Sequence, residues 1–160
     1  MRFAAALTVV LFVACVLPLH EQSARQPVRI IHTPFDEYGN VCWENEQARL
    51  DNFSIQLHND PKLVGYIVVY MGRISCRDEA KYRGNRARNY VIKRGVDPKR
   101  VIFKDGGFQP DIHTVLRLQP KTFPDFVPEP TLKKDEVSIR GCIDKVFARV
   151  LCLNGNQRIK

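Results

Sequence analysis

Gly65-Tyr66-Ile67-Val68-Val69-Tyr70-Met71 is the stretch on which the fold turns. β-Branched and aromatic side chains fill it almost without interruption, which suits a pleated strand buried on both faces. Such a strand lies inside a sheet, so the segments around it must supply its neighbours and its cover. Upstream, Glu44 to His58 reads as a helix: Leu50, Phe53 and Leu57 recur at helical spacing, and Glu44 and Glu46 stand in the first turn, where the helix dipole favours acids. Asn59-Asp60-Pro61 stops it. Before it, Val28 to His32 reads as a short strand, and Phe35 to Asn40 as a polar loop with Asp36, Gly39 and Asn40 as turn formers.

Downstream of the central strand, Ser75 and Asp78 form a capping box for a second helix. It carries Asp78-Glu79 in its first turn, Lys93-Arg94 in its last and Gly95 just past its end. Its stripe of Ala80, Gly84, Ala87 and Val91 is small enough for close packing on a sheet, while Arg77, Lys81, Arg83, Arg86 and Arg88 make it basic. A basic helix face is most often a solvated one. Val101 to Phe103 is the next strand, Asp105-Gly106-Gly107 a turn, and Ile112 to Leu118 an alternating, half-exposed strand. The order is β-α-β-α-β-β: an α+β fold with a mixed sheet, two helices on one of its faces and an antiparallel strand added at the end. The domain spans residues 27–120, followed by a proline-rich linker over residues 121–136 and a C-terminal appendage over residues 137–160. Val137 to Ile139 looks like a strand; Ile143 to Leu151 fits a helix or a hairpin equally.

The first residues set the expected compartment. Arg2 is followed by an almost wholly apolar run from Phe3 to Leu17, the pattern of a secretory signal over residues 1–24. The run breaks at Pro18 and His20-Glu21, short of the roughly 20 residues a membrane span needs, so no span is expected. Phe12-Val13-Ala14-Cys15 resembles a lipobox, which leaves a lipoprotein signal over residues 1–14, with lipidation of Cys15, as the alternative. The chain has 25 Lys and Arg against 17 Asp and Glu, a net charge of +8. In an exported protein such charge meets anionic envelope polymers and lipid head groups before nucleic acid, and no nucleic-acid partner is expected.

Cysteine usage agrees with export. Cys42, Cys76, Cys142 and Cys152 are an even set in an oxidising compartment, enough for two disulfides in three possible connectivities. Cys42 follows the first strand and Cys76 the central one, which favours a Cys42–Cys76 bridge and leaves Cys142–Cys152 by elimination. The latter requires that its segment is not one continuous helix, since ten helical residues span about 15 Å. No metal or cofactor is expected: there is no Cys-x-x-Cys, and His20, His32, His58 and His113 lack ligand spacing.

No catalytic constellation stands out. Asp111 and His113 could contribute to a small hydrolase, yet alternate polar residues are also what a polar strand face looks like. Asp78-Glu79 and Asp135-Glu136 are adjacent acids whose side chains diverge, and no glycine-rich phosphate loop occurs.

From Leu50 to Pro110 the element order and local patterns resemble the OmpA-like C-terminal domain, a peptidoglycan-associating module of bacterial cell envelopes. The resemblance rests on Leu57-His58-Asn59-Asp60-Pro61, on Ile67 to Gly72, on Arg83 through Asn89 to Val96, and on Val101 to Gly107. It implies a non-catalytic, periplasmic or envelope-bound protein that binds peptidoglycan or another envelope polymer. In that family an acid after the central strand and an arginine of the second helix clasp a zwitterionic diaminopimelate. The arginine position falls on Arg83, with Arg86 a further contact one turn on. The acid position falls near Ser75, where Gly72-Arg73-Ile74-Ser75 replaces the family's Gly-His-Thr-Asp loop; Asp78 is the substitute at hand, although the capping box also accounts for it. The missing motif keeps a second reading open, a protein-interaction or structural module that retains the fold without the ligand and offers its C-terminal segment to a partner.

Overall fold

A computed structural model describes residues 33–142. The expected signal segment with Cys15, the expected strand Val28 to His32, and Ile143 to Leu151 with Cys152 lie outside those residues. The described part is an α+β fold: a four-stranded mixed sheet with two helices on one face, and a separate two-stranded ribbon.

β1 (Asp36–Tyr38) lies where a polar loop was expected. Its three residues pair antiparallel with β5, and Tyr38 turns its ring into the core. Long-range pairing, which local composition does not report, makes this segment a strand. α1 (Trp43–Asn59) follows and buries Leu50, Phe53 and Leu57 completely, as their spacing predicts. β2 (Leu63–Met71) is the interior strand, flanked by β4 on one side and β5 on the other. Its alternation separates two packing layers. Ile67 and Val69 join the helices, whereas Val64, Tyr66, Val68 and Tyr70 form the opposite layer. Gly65 is needed at the helix face, since a Cβ there would collide with Phe53 and Leu57.

β3 (Ile74–Cys76) and α2 (Glu79–Lys93) come next. The expected stripe of Ala80, Gly84, Ala87 and Val91 is buried, and Gly95 adopts a φ of 92° after the helix. The expected capping box is absent. Ser75 belongs to β3 and its hydroxyl donates to the Gly72 carbonyl, while Asp78 is left-handed with a φ of 60° and makes no cap bond. Glu79 takes over the role by accepting the Cys76 amide at 3.0 Å.

β4 (Val101–Phe108), preceded by a 3₁₀ turn at Pro98–Arg100, runs parallel to β2 and straight through Asp105-Gly106-Gly107, the expected turn. The register shift between Val69 and Met71 makes this glycine pair a bulge: Gly106 admits the Tyr70 ring, and Gly107 has a φ of 76°. The chain reverses instead at Gln109 to Ile112, crossing the end of β2, where Gln109 N–H donates to Met71 and Arg73 N–H to Pro110. β5 (His113–Pro120) returns antiparallel, as expected, but inserts between β2 and β1 rather than adding at the edge.

The proline-rich segment 121–136 is anchored to the second face of the sheet. Phe126 packs on Tyr66, Asp125 accepts the Tyr66 hydroxyl at 2.8 Å and Lys104 at 2.9 Å, and Arg117 lies over the Phe126 ring. After a 3₁₀ turn at Lys134–Glu136, β6 (Ser138–Arg140) pairs parallel with β3. That pairing overturns the expected bridges. Cys76 is bonded to Cys142, with Cα atoms 5.5 Å apart, so neither Cys42–Cys76 nor Cys142–Cys152 forms. The reason is topological: β3 leads Cys76 to the C-terminal ribbon and away from Cys42. Cys42, at the start of α1, is disulfide-bonded as well, though not to Cys76.

Candidate functional site

At the C-terminal end of β2 three connections meet: Gly39-Asn40 after β1, Gly72 to Ser75 entering β3, and Pro110 to Ile112 between β4 and β5. With the first turn of α2 they enclose an open cleft of about 660 Å³. Gly72 keeps the loops close, because a Cβ there would press on the backbone of Asp111 and Ile112. Ligand sites on sheets with parallel strands commonly lie beyond such carboxyl ends.

Arg83 and Glu79 form the inner wall. One helical turn apart, they pair at 3.0 Å with only 15% and 12% of their side chains exposed, and Arg83 also donates to the Asn40 side-chain oxygen at 3.0 Å. The second oxygen of Glu79 is held by the Cys76 amide, which fixes the carboxylate at both ends. Arg73 and Asp111 stand at the rim, both exposed. Neither has a side-chain hydrogen bond or ion pair among the described residues. The cleft thus carries two cations and two carboxylates, a balanced arrangement that suits a group bearing both signs better than a polyanion.

The three residues expected to bind ligand do not converge. Arg83 lines the cleft, whereas Asp78 and Arg86 line a shallow groove along the outer side of α2, with Tyr82 and Asn85. The Arg86 guanidinium is bonded to Glu46 of α1 and stacks over Trp43, 4.2 Å from the ring centroid, so it ties the two helices together. Glu46 also accepts the Tyr38 hydroxyl. Burial, and then the adjacent Glu46 carboxylate, push that hydroxyl well above the ordinary tyrosine range.

Glu79, Asn40, Arg73 and Asp111 were not singled out as ligand contacts from sequence. Glu79 had a readable signal, its i, i+4 spacing from Arg83; Arg73 and Asp111 had none, since two separate crossovers bring them together. Asp111 and His113 are not joined in one site. Asp111 opens onto the cleft, while His113 lies outside its lining, 3.6 Å from Glu37 and beside the Tyr70 ring. Among the described residues no three metal-binding side chains gather, and no helix is long and apolar enough to cross a membrane.

Comparisons of the chain with protein-family models, curated proteins and solved structures found no match.

Proposed function

We propose that this chain is an exported, non-catalytic cell-envelope module that associates with peptidoglycan by holding a zwitterionic group of the stem peptide in the Arg83–Glu79 cleft. The observation that carries the reading is the pair of unpartnered opposite charges, Arg73 and Asp111, at the mouth of a cleft whose inner wall is an ordered ion pair. Rim charges without an internal role are free to bind a carboxylate and an ammonium of one ligand. The net charge of +8 would raise the local concentration of the domain at an anionic polymer.

One observation favours the second reading, an interaction module without this ligand: Arg83 is already satisfied by Glu79 and Asn40, so the pair has a structural use of its own. Co-sedimentation of the oxidised protein with purified sacculi separates the two. On the ligand reading, Arg73→Ala and Asp111→Asn each lower binding at moderate salt at least fivefold while the unfolding midpoint stays put. Binding that fades equally with salt in all three proteins reflects cationic charge alone and overturns it, because surface attraction is screened beyond about 10 Å at 0.1 M ionic strength.

A further inference from the structure

The ribbon of β3 and β6 has a physical link to the cleft. β3 supplies Ile74 and Ser75 to the cleft lining, and β6 is its sole strand partner among the described residues. The ribbon is three residues on each strand, with every residue of β6 exposed. Two strands of that length, with Ser75 their one buried residue, do not hold together in water unaided. Here they are joined by two further backbone bonds, Ser138 N–H to Arg73 and Arg77 N–H to Arg140, and by the disulfide from Cys76, the last paired residue of β3, to Cys142, two residues past β6. The amide of Cys76 donates to Glu79, whose other oxygen holds Arg83. A continuous chain of contacts therefore runs from the disulfide to the inner wall of the cleft.

We propose that the Cys76–Cys142 disulfide is a redox-dependent lock on the cleft, with Cys142 and β6 as its positioning elements. In the oxidised chain β6 holds β3, and the Cys76 amide holds the Glu79 carboxylate toward Arg83. A dithiol reductant opens the lock: the S–S bond breaks, the two sulfurs take up two electrons and two protons as thiols, and the dithiol closes to its own disulfide. The short ribbon then separates, the Arg73-to-Ser75 wall loosens, and Glu79 loses one of its two anchors. The sheet, whose layers are packed by α1, α2 and the proline-rich strap, stays folded.

The lock concerns the cleft of the proposed function, but its first readout needs no ligand. Amide hydrogen exchange is followed at positions 76, 77 and 138, with positions 67 and 69 of β2 as the internal standard. Wild type is compared with the Cys76→Ser, Cys142→Ser double variant, which leaves Cys42 untouched, and with Ser138→Pro, which keeps the cysteines, removes the amide that donates to Arg73 and fixes the backbone φ there. The expected result is at least tenfold faster exchange at the remaining ribbon amides in both variants, with positions 67 and 69 unchanged, and at least fivefold weaker binding to purified sacculi. Unchanged exchange at positions 77 and 138 in the double cysteine variant, unchanged exchange at position 77 in Ser138→Pro, or ribbon exchange that accelerates only together with positions 67 and 69 in both variants, overturns the lock. Wild type that fails to bind sacculi while its ribbon loosens as expected overturns the peptidoglycan reading and leaves the lock standing.

Discussion

Arg86 of α2 donates to the Glu46 carboxylate of α1 across the helix interface, with its guanidinium stacked on the Trp43 ring. The Glu46 side chain is only 4% exposed and also accepts the Tyr38 hydroxyl. An acid placed in the first turn of α1 for its dipole is thus also the centre of a buried polar cluster that fixes α1, α2 and β1 to one another. The Arg86 Nε is buried without a hydrogen bond, the one such side-chain atom among the described residues.

Removing one partner of this pair strands the other. Arg86→Ala leaves a buried carboxylate without its cation, and breaking a buried ion pair in this way costs about 3–5 kcal/mol. The double replacement Glu46→Gln, Arg86→Met removes both charges and should recover at least half of that loss. Urea unfolding of the three proteins checks this; an Arg86→Ala midpoint equal to wild type would show that the pair contributes nothing.

Gly84 tests how tightly α2 lies on the sheet. Glycine within a helix costs about 0.5–1 kcal/mol relative to alanine, so an open position would be stabilised by Gly84→Ala. Here the added methyl would drive into the Phe103 ring of β4. Overpacking of this kind costs about 1–3 kcal/mol, which exceeds the gain in propensity. The variant should therefore melt lower than wild type, and the pair Gly84→Ala, Phe103→Leu should melt higher than Gly84→Ala alone.

What was legible in the sequence was local. Leu50, Phe53 and Leu57 on α1, the small stripe of α2 and the run through β2 declare themselves by their pattern within one element, and all are buried except Met71, which is half-buried at the end of β2. The misread parts depend on partners far along the chain. Asp36-Glu37-Tyr38 is a strand because β5 pairs with it, and Gly106-Gly107 is a bulge because Tyr70 lies against it. Cys76 meets Cys142 across 66 residues because β3 and β6 run side by side. The candidate site divides in the same way. Arg83 is marked by the resemblance to the OmpA-like domain and not by composition or spacing, whereas the rim charges Arg73 and Asp111 converge only once the chain crosses the end of β2.

Arg100 is a further tie that composition does not announce. Its guanidinium donates to three backbone carbonyls: Leu57 and Asp60 at 2.6 and 2.7 Å, and Leu63 at 3.0 Å. The first two belong to the C-terminal end of α1 and the loop after it, where carbonyls lack helical partners and a cation is favoured. Because the fork geometry satisfies all three at once, lysine cannot replace it. Arg100→Ala and Arg100→Lys should both lose about 2 kcal/mol of stability in chemical unfolding, the scale of hydrogen bonds to a charged group. Full retention by the lysine variant would mean that charge alone matters there.

Tyr66 sets the pH behaviour of the strap. Its hydroxyl donates to Asp125, and burial, followed by that carboxylate, pushes its pKa from 10.0 up to about 12. Lys104, and next Tyr66, hold Asp125 below the ordinary carboxylate value. The sign follows from which form the fold prefers. The neutral phenol is favoured in the folded state, so its contribution is complete below pH 10 and disappears as pH rises from 10 to about 12. The Asp125 anion is favoured, so its contribution is present above the ordinary carboxylate pKa and is lost as pH falls through its depressed one. Tyr66→Phe removes the hydroxyl from both relations. The stability difference between wild type and Tyr66→Phe, measured by urea unfolding across pH, should therefore be level through neutrality and shrink above pH 10. It should also shrink under acid conditions, where Asp125 takes up its proton. A difference that stays constant from neutral pH to pH 12 would mean that the strap is held by Phe126 packing on the Tyr66 ring and not by the hydroxyl.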